Sequence, residues 1–366
     1  MLGLSFFSGL QLLYFHHSHL SMNTADTQYT KVNASSIGSN NLQCFRFATM
    51  EHVHSAGLGH KLTEVVLGMA FAEETNSTYL YEYSFWSHRG KHGSYEWLPS
   101  FLPLQDYEVT PEKMNQLTDG LEEDLTEKLG QWDHIVELSK LGTCNVLFST
   151  KLHMCCDDAE STTTCYCTQS TSRIGSFEQV KGRFRQAFSK SKYTPTMHLS
   201  DLIPAINTTR DSDITITWHI RVGDIVLNAS KDFFLRISEQ LAFTLKKKDV
   251  SARVFFFGEG GEDVILQAFS FLPEMCEQFF SGNCFFPMMN VADTLYHMVK
   301  SNILITSGSS FAAIAGLLRT KGVTLAAIPK EFVVGIYETS EQILIDEKGN
   351  FLNFTEQKFD ILSTPN

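Results

Sequence analysis

The sequence predicts an α/β protein with two Rossmann-like domains, and three observations carry that expectation. A chain of 366 residues with 43% hydrophobic content is more than one core usually absorbs, so two domains fit better than one, with a cleft between them. From Ile214 onward, short apolar runs alternate with amphipathic stretches, the pattern of a doubly wound parallel sheet. Between Cys44 and Tyr83 the order is strand, Gly-bearing turn, helix, strand, a βαβ unit whose strands run parallel.

Met1–Phe15 carries Leu2, Leu4, Phe6, Phe7, Leu10, Leu12 and Leu13 with no charged side chain. It is shorter than the roughly 20 apolar residues of a bilayer span, which suits a secretory signal, a clipped membrane anchor or a truncated start, with a hydrophobic segment packed on the domain as the plainer alternative. Residues 16–40 are rich in Ser, Thr and Asn and read as a polar stem. The first domain is expected over 41–205. In it CFRFATM alternates like a strand, Leu58, Leu62, Val65, Val66 and Met69 recur at helical spacing, and Thr78–Tyr83 is a second strand. A charged helical stretch follows near Pro111–Lys128, then short apolar runs at Ile135–Leu138 and Asn145–Phe148. Cys155–Thr171 reads as a surface loop, and Phe177, Val180, Phe184 and Phe188 mark one face of a helix. Tyr193–Asp213, with Pro195 and Pro204, is the expected link between domains.

The second domain is expected over 206–330, leaving 331–366 as a C-terminal extension. Its strands are Ile214–Val222, Arg253–Phe257, Cys284–Pro287, Asn302–Thr306 and Val323–Ile328. Its helices are Phe233–Lys247, Glu262–Phe269, Asp293–Lys300 and Phe311–Thr320.

Lys+Arg of 29 against Asp+Glu of 41 gives 29 − 41 = −12, a balance that repels a nucleic-acid backbone. An anionic nucleotide is still admissible if local donors meet its phosphates. Eight cysteines form an even set, with Cys276 and Cys284 placed to close a local loop, and Cys155, Cys156, Cys165 and Cys167 suiting a disulfide-tied loop better than a zinc knot. Sequons at Asn33, Asn76, Asn207, Asn228 and Asn353 suit passage through a glycosylating lumen.

Three constellations carry chemistry. His219-Ile-Arg221-Val-Gly223-Asp224 closes a strand; alternation puts His219 and Arg221 on one face, and Gly223 permits a tight turn. An Arg there can fork two bonds onto a diphosphate, although such a cluster is also an ordinary strand-end ion pair. Asp293, four residues before His297, precedes a buried strand that runs through Ser307, Gly308, Ser309 and Ser310 into a helix. The serines and the first helical N–H groups form a phosphate seat, and Asp293 is either a ligand or an N-cap. Gly57-Leu-Gly59-His60-Lys61 joins strand to helix, but Leu62 stands where a dinucleotide fingerprint needs its third Gly.

His-x-Arg-x-Gly-Asp closing a strand, a later Asp, and a strand ending in Ser-Gly-Ser-Ser-Phe resemble the α1,6-fucosyltransferase and protein O-fucosyltransferase superfamily. The resemblance covers about 210–330, with Gly57, Gly59 and His60 as a looser echo. It implies a GT-B architecture, two Rossmann-like domains facing across a cleft. It further implies GDP-fucose as donor, no essential metal or other cofactor, inversion at the anomeric carbon, a glycan or glycoprotein acceptor, and a Golgi or ER lumenal site. His219 and Asp293 would hold the guanine; Arg221, Ser309 and Ser310 would hold the diphosphate. Val222 stands where the family often has a second basic residue, leaving Lys61 as a substitute. The catalytic base has no family counterpart here, and Asp224 and Glu259 are the carboxylates at strand ends.

Three rivals fit less well. Gly308-Ser-Ser310 approximates a hydrolase elbow, but no His follows His297 to complete a triad. Asp211-Ser-Asp213 resembles a metal-binding carboxylate pair yet sits before a strand, and His88 and His92 read as surface. The non-catalytic alternative is a lumenal nucleotide-sugar or glycan-binding protein; a further alternative is a transferase using another nucleotide sugar.

Overall fold

The computed structural model describes residues 44–51, 57–80, 95–104, 108–119, 125–153, 163–165, 174–203, 213–222, 230–327, 342–352 and 354–363. The hydrophobic start, the stem, most of the Cys155–Thr171 loop and four of the sequon asparagines (33, 207, 228 and 353) lie outside them.

The first domain opens with strand β1 (Arg46–Glu51), helix α1 (Leu58–Glu74) and strand β2 (Thr78–Leu80). It continues through α2 (Leu98–Phe101), β3 (Glu108–Val109), α3 (Pro111–Thr118), β4 (Thr126–Leu129), α4 (Trp132–Ser139), β5 (Val146–His153), β6 (Thr163–Cys165) and α5 (Ile174–Ser189). The strand order is β3-β2-β1-β5-β4 with β6 also paired to β5, and every pairing is parallel. The expected βαβ unit is therefore present. The charged stretch 111–128 divides into α3 and β4, and a disulfide joins Cys44 to Cys144.

The second domain holds β7 (Ile214–His219), α6 (Lys231–Lys247), β8 (Ala252–Phe257), α7 (Gly261–Ala268), α8 (Leu272–Phe280), β9 (Cys284–Phe285), α9 (Val291–Lys300), β10 (Ile303–Thr306), α10 (Ser310–Leu318), β11 (Val323–Ala327) and β12 (Gln342–Ile345). Its order is β12-β11-β10-β7-β8-β9, again parallel throughout. Two differences from the sequence expectation stand out. The domain extends past residue 330, because β12 pairs with β11 over Thr324–Ala327. Helix α8 fills what the sequence left blank, with Pro273 in its first turn, where the missing N–H costs nothing, and Leu272, Met275, Cys276 and Phe280 buried. The Cys276–Cys284 disulfide closes the loop from α8 to β9 as expected.

The two faces of the second sheet bury into different cores. Ile214, Ile216, Trp218 and Val254 pack against Phe234, Ile237 and Leu241 of α6 and Leu272 of α8. On the opposite face, Phe255, Phe257 and Leu304 join one hydrophobic cluster with α9 and α10 that runs on through α1 and α5 to Ala48 and Phe148 of the first sheet. Helix α10 lies inside this shared layer, with Ala312, Ala313, Ile314, Ala315, Leu317 and Leu318 all buried. Its small residues let neighbouring backbones approach closely, and each large apolar side chain contributes about 1.5–3 kcal/mol by leaving water. The two sheets are thus joined by a common apolar layer rather than by a linker alone. No helix among the described residues is long and apolar enough to cross a membrane.

Candidate functional site at the strand ends

The chain leaves β7 outward to β8 and β9 and returns on the other flank of β7 with β10. The carboxyl ends of β7 and β10 therefore bound the switch point of the second sheet, where an open α/β sheet admits a ligand. His219 ends β7, and two residues on the Arg221 backbone N–H donates to Ser307 Oγ at 3.2 Å, tying the two strand ends together. The turn that follows needs φ of +70° at Gly308, a conformation glycine adopts without strain. Helix α10 then starts with Ser309 as N-cap. Ser309 is 5% exposed and Ser310 7% exposed, and neither hydroxyl has a hydrogen-bond partner among the described residues.

The start of α1 meets the start of α10 at this point. A Cβ on Gly59 would stand 2.6 Å from Phe311 Cα and closer still to Phe311 N, so only a glycine lets the two backbones touch. Gly57 is the N-cap of α1, and it too makes no side-chain capping bond. Thr110, Ser230 and Asn290 cap α3, α6 and α9, while α4, α7 and α8 carry acidic residues in their first turns. Helices α1 and α10, like the single turn α2, have neither device. Two helix starts, each equivalent to about half a positive charge, are thus held in contact, and neither first turn carries an acidic side chain. Such a pair repels itself and favours a bound anion.

The His219 ring faces Phe311 at 5.7 Å between centroids, and its Nδ1 is shielded from water without a partner. Burial, reinforced by the Arg221 guanidinium, pulls the imidazole down to about 4, so near neutral pH it is an uncharged hydrogen-bonding group. Glu259 stands exposed in the turn after β8, the strand that pairs with β7 up to His219. Gly223, Asp224 and the His60 side chain lie outside the described residues.

Two of the expected site residues are engaged within the chain. The Asp293 carboxylate, 1% exposed, accepts from Tyr193 Oη at 2.7 Å, Thr196 N at 2.9 Å, Thr196 Oγ1 and Asn290 Nδ2 at 2.9 Å. A carboxylate offers about four lone-pair sites, so the protein itself fills them and no guanine edge can be added without displacing one. Burial alone would raise the Asp293 carboxyl, but the bonds from Thr196, Tyr193 and Asn290 outweigh it and hold the group below its ordinary value. The helix cap is Asn290, not Asp293, and Asp293 instead pins the 193–196 segment of the link to α9, with His297 Nε2 bonded to Met197 O at 2.7 Å beside it. Lys61 also differs: it is buried, its Nζ 5.7 Å from the Tyr95 ring centre, and burial lowers its pKa. Its ammonium lies within the helix packing beside Tyr95.

Asp213 pairs with Arg253 at 2.7 Å at the amino-terminal ends of β7 and β8, away from the carboxyl ends, the structural role a linker carboxylate would take. No group of three or more potential metal-ligating side chains occurs among the described residues. A groove of about 580 Å³ lies on the outer helices, lined by Asp232, Arg236 and Glu239 of α6 with Phe279, Glu347 and Lys348; it shares no residue with the strand-end set. Sequence reasoning missed the Gly59–Phe311 contact and the Ser307 bridge, whose only signal was small residues at strand ends.

No protein-family model and no curated protein matches the chain. Among solved structures, POFUT1 in complex with GDP-fucose is similar at 10% identity and a TM-score of 0.41, over 76% of this chain and 96% of that one. The Escherichia coli heptosyltransferase WaaC with ADP is similar at 11% identity and a TM-score of 0.35, over 86% and 98%. A family 9 glycosyl transferase from Veillonella parvula is similar at 13% identity and a TM-score of 0.37, over 82% and 86%. At such scores these are distant likenesses, and they assign no residue a role.

Proposed function

We propose that this chain is a glycosyltransferase that moves fucose from GDP-fucose to a hydroxyl of a glycan or glycoprotein, with inversion and without a metal, in the Golgi or ER lumen. The observation that carries the reading is the contact between two helix starts, α1 and α10, that lack both caps and acidic residues and sit beside Arg221 at the switch point. That arrangement suits a diphosphate better than a neutral ligand. The two disulfides are compatible with an oxidising compartment.

In the proposed reaction the acceptor oxygen attacks the anomeric carbon from the face opposite the diphosphate, and the bond from that carbon to the leaving oxygen breaks. Negative charge grows on the departing diphosphate. In this reading Arg221, the first N–H groups of α1 and α10 and the hydroxyls of Ser309 and Ser310 meet that charge, a preorganised stabilisation that strengthens in the transition state. The neutral His219 ring serves the nucleobase side. The proton from the acceptor goes to a carboxylate, with Asp224 and Glu259 as the candidates.

One observation favours a second reading. With Asp293 filled by the chain itself, the guanine loses one of the two partners the family resemblance assigns, so a donor carrying another base enters consideration. Offering the purified chain a panel of GDP-, ADP- and UDP-sugars, with and without EDTA, separates the cases. Metal-independent GDP release from GDP-fucose supports the first reading, and turnover of another nucleotide sugar supports the second. Tight GDP binding without turnover identifies a non-catalytic binding protein.

A further inference from the structure

Helix α1 ends in a motif that leaves one side chain with nothing to do. Thr75 is its C-cap, Asn76 N–H donates to Glu73 O at 3.0 Å, and Ser77 N–H reaches back to Ala72 O at 2.8 Å. These paired bonds require a left-handed residue after the cap, and Asn76 takes it with φ of +49°. Asparagine tolerates that region better than most residues, so its backbone role is accounted for. Its side-chain amide is exposed and makes no hydrogen bond among the described residues, and Thr78, two residues on, is exposed as well.

We infer that Asn76 is an N-glycosylation site. The sequence Asn76-Ser77-Thr78 meets the acceptor rule, and of the five sequons it is the one whose asparagine is placed among the described residues. The amide nitrogen displaces the diphosphate from the anomeric carbon of a lipid-diphosphate-linked oligosaccharide. A nitrogen–carbon bond forms, the carbon–oxygen bond breaks, the amide proton is lost and the lipid diphosphate leaves. The folded chain can carry the product because nothing in α1 or β2 uses the Asn76 side chain. The 17 residues of α1 set the glycan about 25 Å along the helix axis from Gly57, on the side away from the strand-end site. The inference requires entry into a glycosylating lumen and does not depend on which nucleotide sugar the chain uses.

The full chain would be made in a glycosylating eukaryotic host, treated with peptide N-glycosidase in ¹⁸O-water, and its Asn76 peptide read by mass spectrometry. Conversion of Asn76 to ¹⁸O-labelled Asp is expected. Thr78→Val should abolish the conversion and Thr78→Ser should retain it, with both variants still folded because Thr78 is exposed. An Asn76 peptide found only unmodified, or labelling that survives Thr78→Val, overturns the inference.

Discussion

Two polar clusters in the second domain, built from similar residue types, differ in one physical respect. Around Asp293, every carboxylate lone pair is met by Tyr193, Thr196 or Asn290, so the cluster is closed. Around Arg221, two serine hydroxyls and two helix starts have no side-chain partner among the described residues, so the cluster is open. A polar group whose bonds are filled by the chain is a fastener, and one whose bonding capacity the chain leaves open is available to a ligand. The sequence ranks both clusters as ligand sites because residue identity is the same in a fastener and in a receptor.

The comparison breaks most visibly at Asp293. Asp293→Ala should cost about 3–5 kcal/mol of stability, since it strands several buried donors at once. Denaturant unfolding measures this; lost nucleotide binding with unchanged stability would reverse the assignment. Arg221→Ala should do the opposite, lowering kcat/KM by about 2–4 kcal/mol, roughly 30- to 1000-fold, with the unfolding midpoint nearly unchanged. Gly59→Ala should separate the two helix starts and cost about 1–3 kcal/mol of stability, with nucleotide affinity falling alongside. Wild-type affinity in that variant would show that the helix contact is packing alone.

The remaining effect is a pH slope confined to acid. The folded chain holds His219 near 4 against an ordinary 6.5, so the unfolded chain binds a proton that the native state refuses. This group's contribution is therefore unfavourable only in acid: stability is full above pH 6.5, declines as pH falls toward about 4 and then levels. His219→Gln should flatten that part of the unfolding curve.

What the sequence made legible follows from local periodicity. Strands β7, β8, β10 and β11 and helices α6, α9 and α10 announce themselves because a fully buried strand reads as an unbroken apolar run, as in Ile303–Ile305. The position of His219, Arg221 and Ser307 at strand ends was equally readable. The bonds that decide between fastener and receptor were not, since Thr196 and Tyr193 lie 97 and 100 residues from Asp293. The Cys44–Cys144 disulfide, also 100 residues apart, and the Gly59–Phe311 contact were hidden for the same reason. Strand β12 escaped because only four residues, Gln342–Ile345, carry its pattern.

The central claim, that Arg221 and two bare helix starts hold a diphosphate, is tested most directly by comparing equilibrium binding of GDP and GMP to the wild-type chain and to Arg221→Ala. The account predicts that GDP binds more tightly than GMP to the wild-type chain and that the gap largely closes in the variant. Equal affinities for the two nucleotides, or a gap that persists without Arg221, would contradict it.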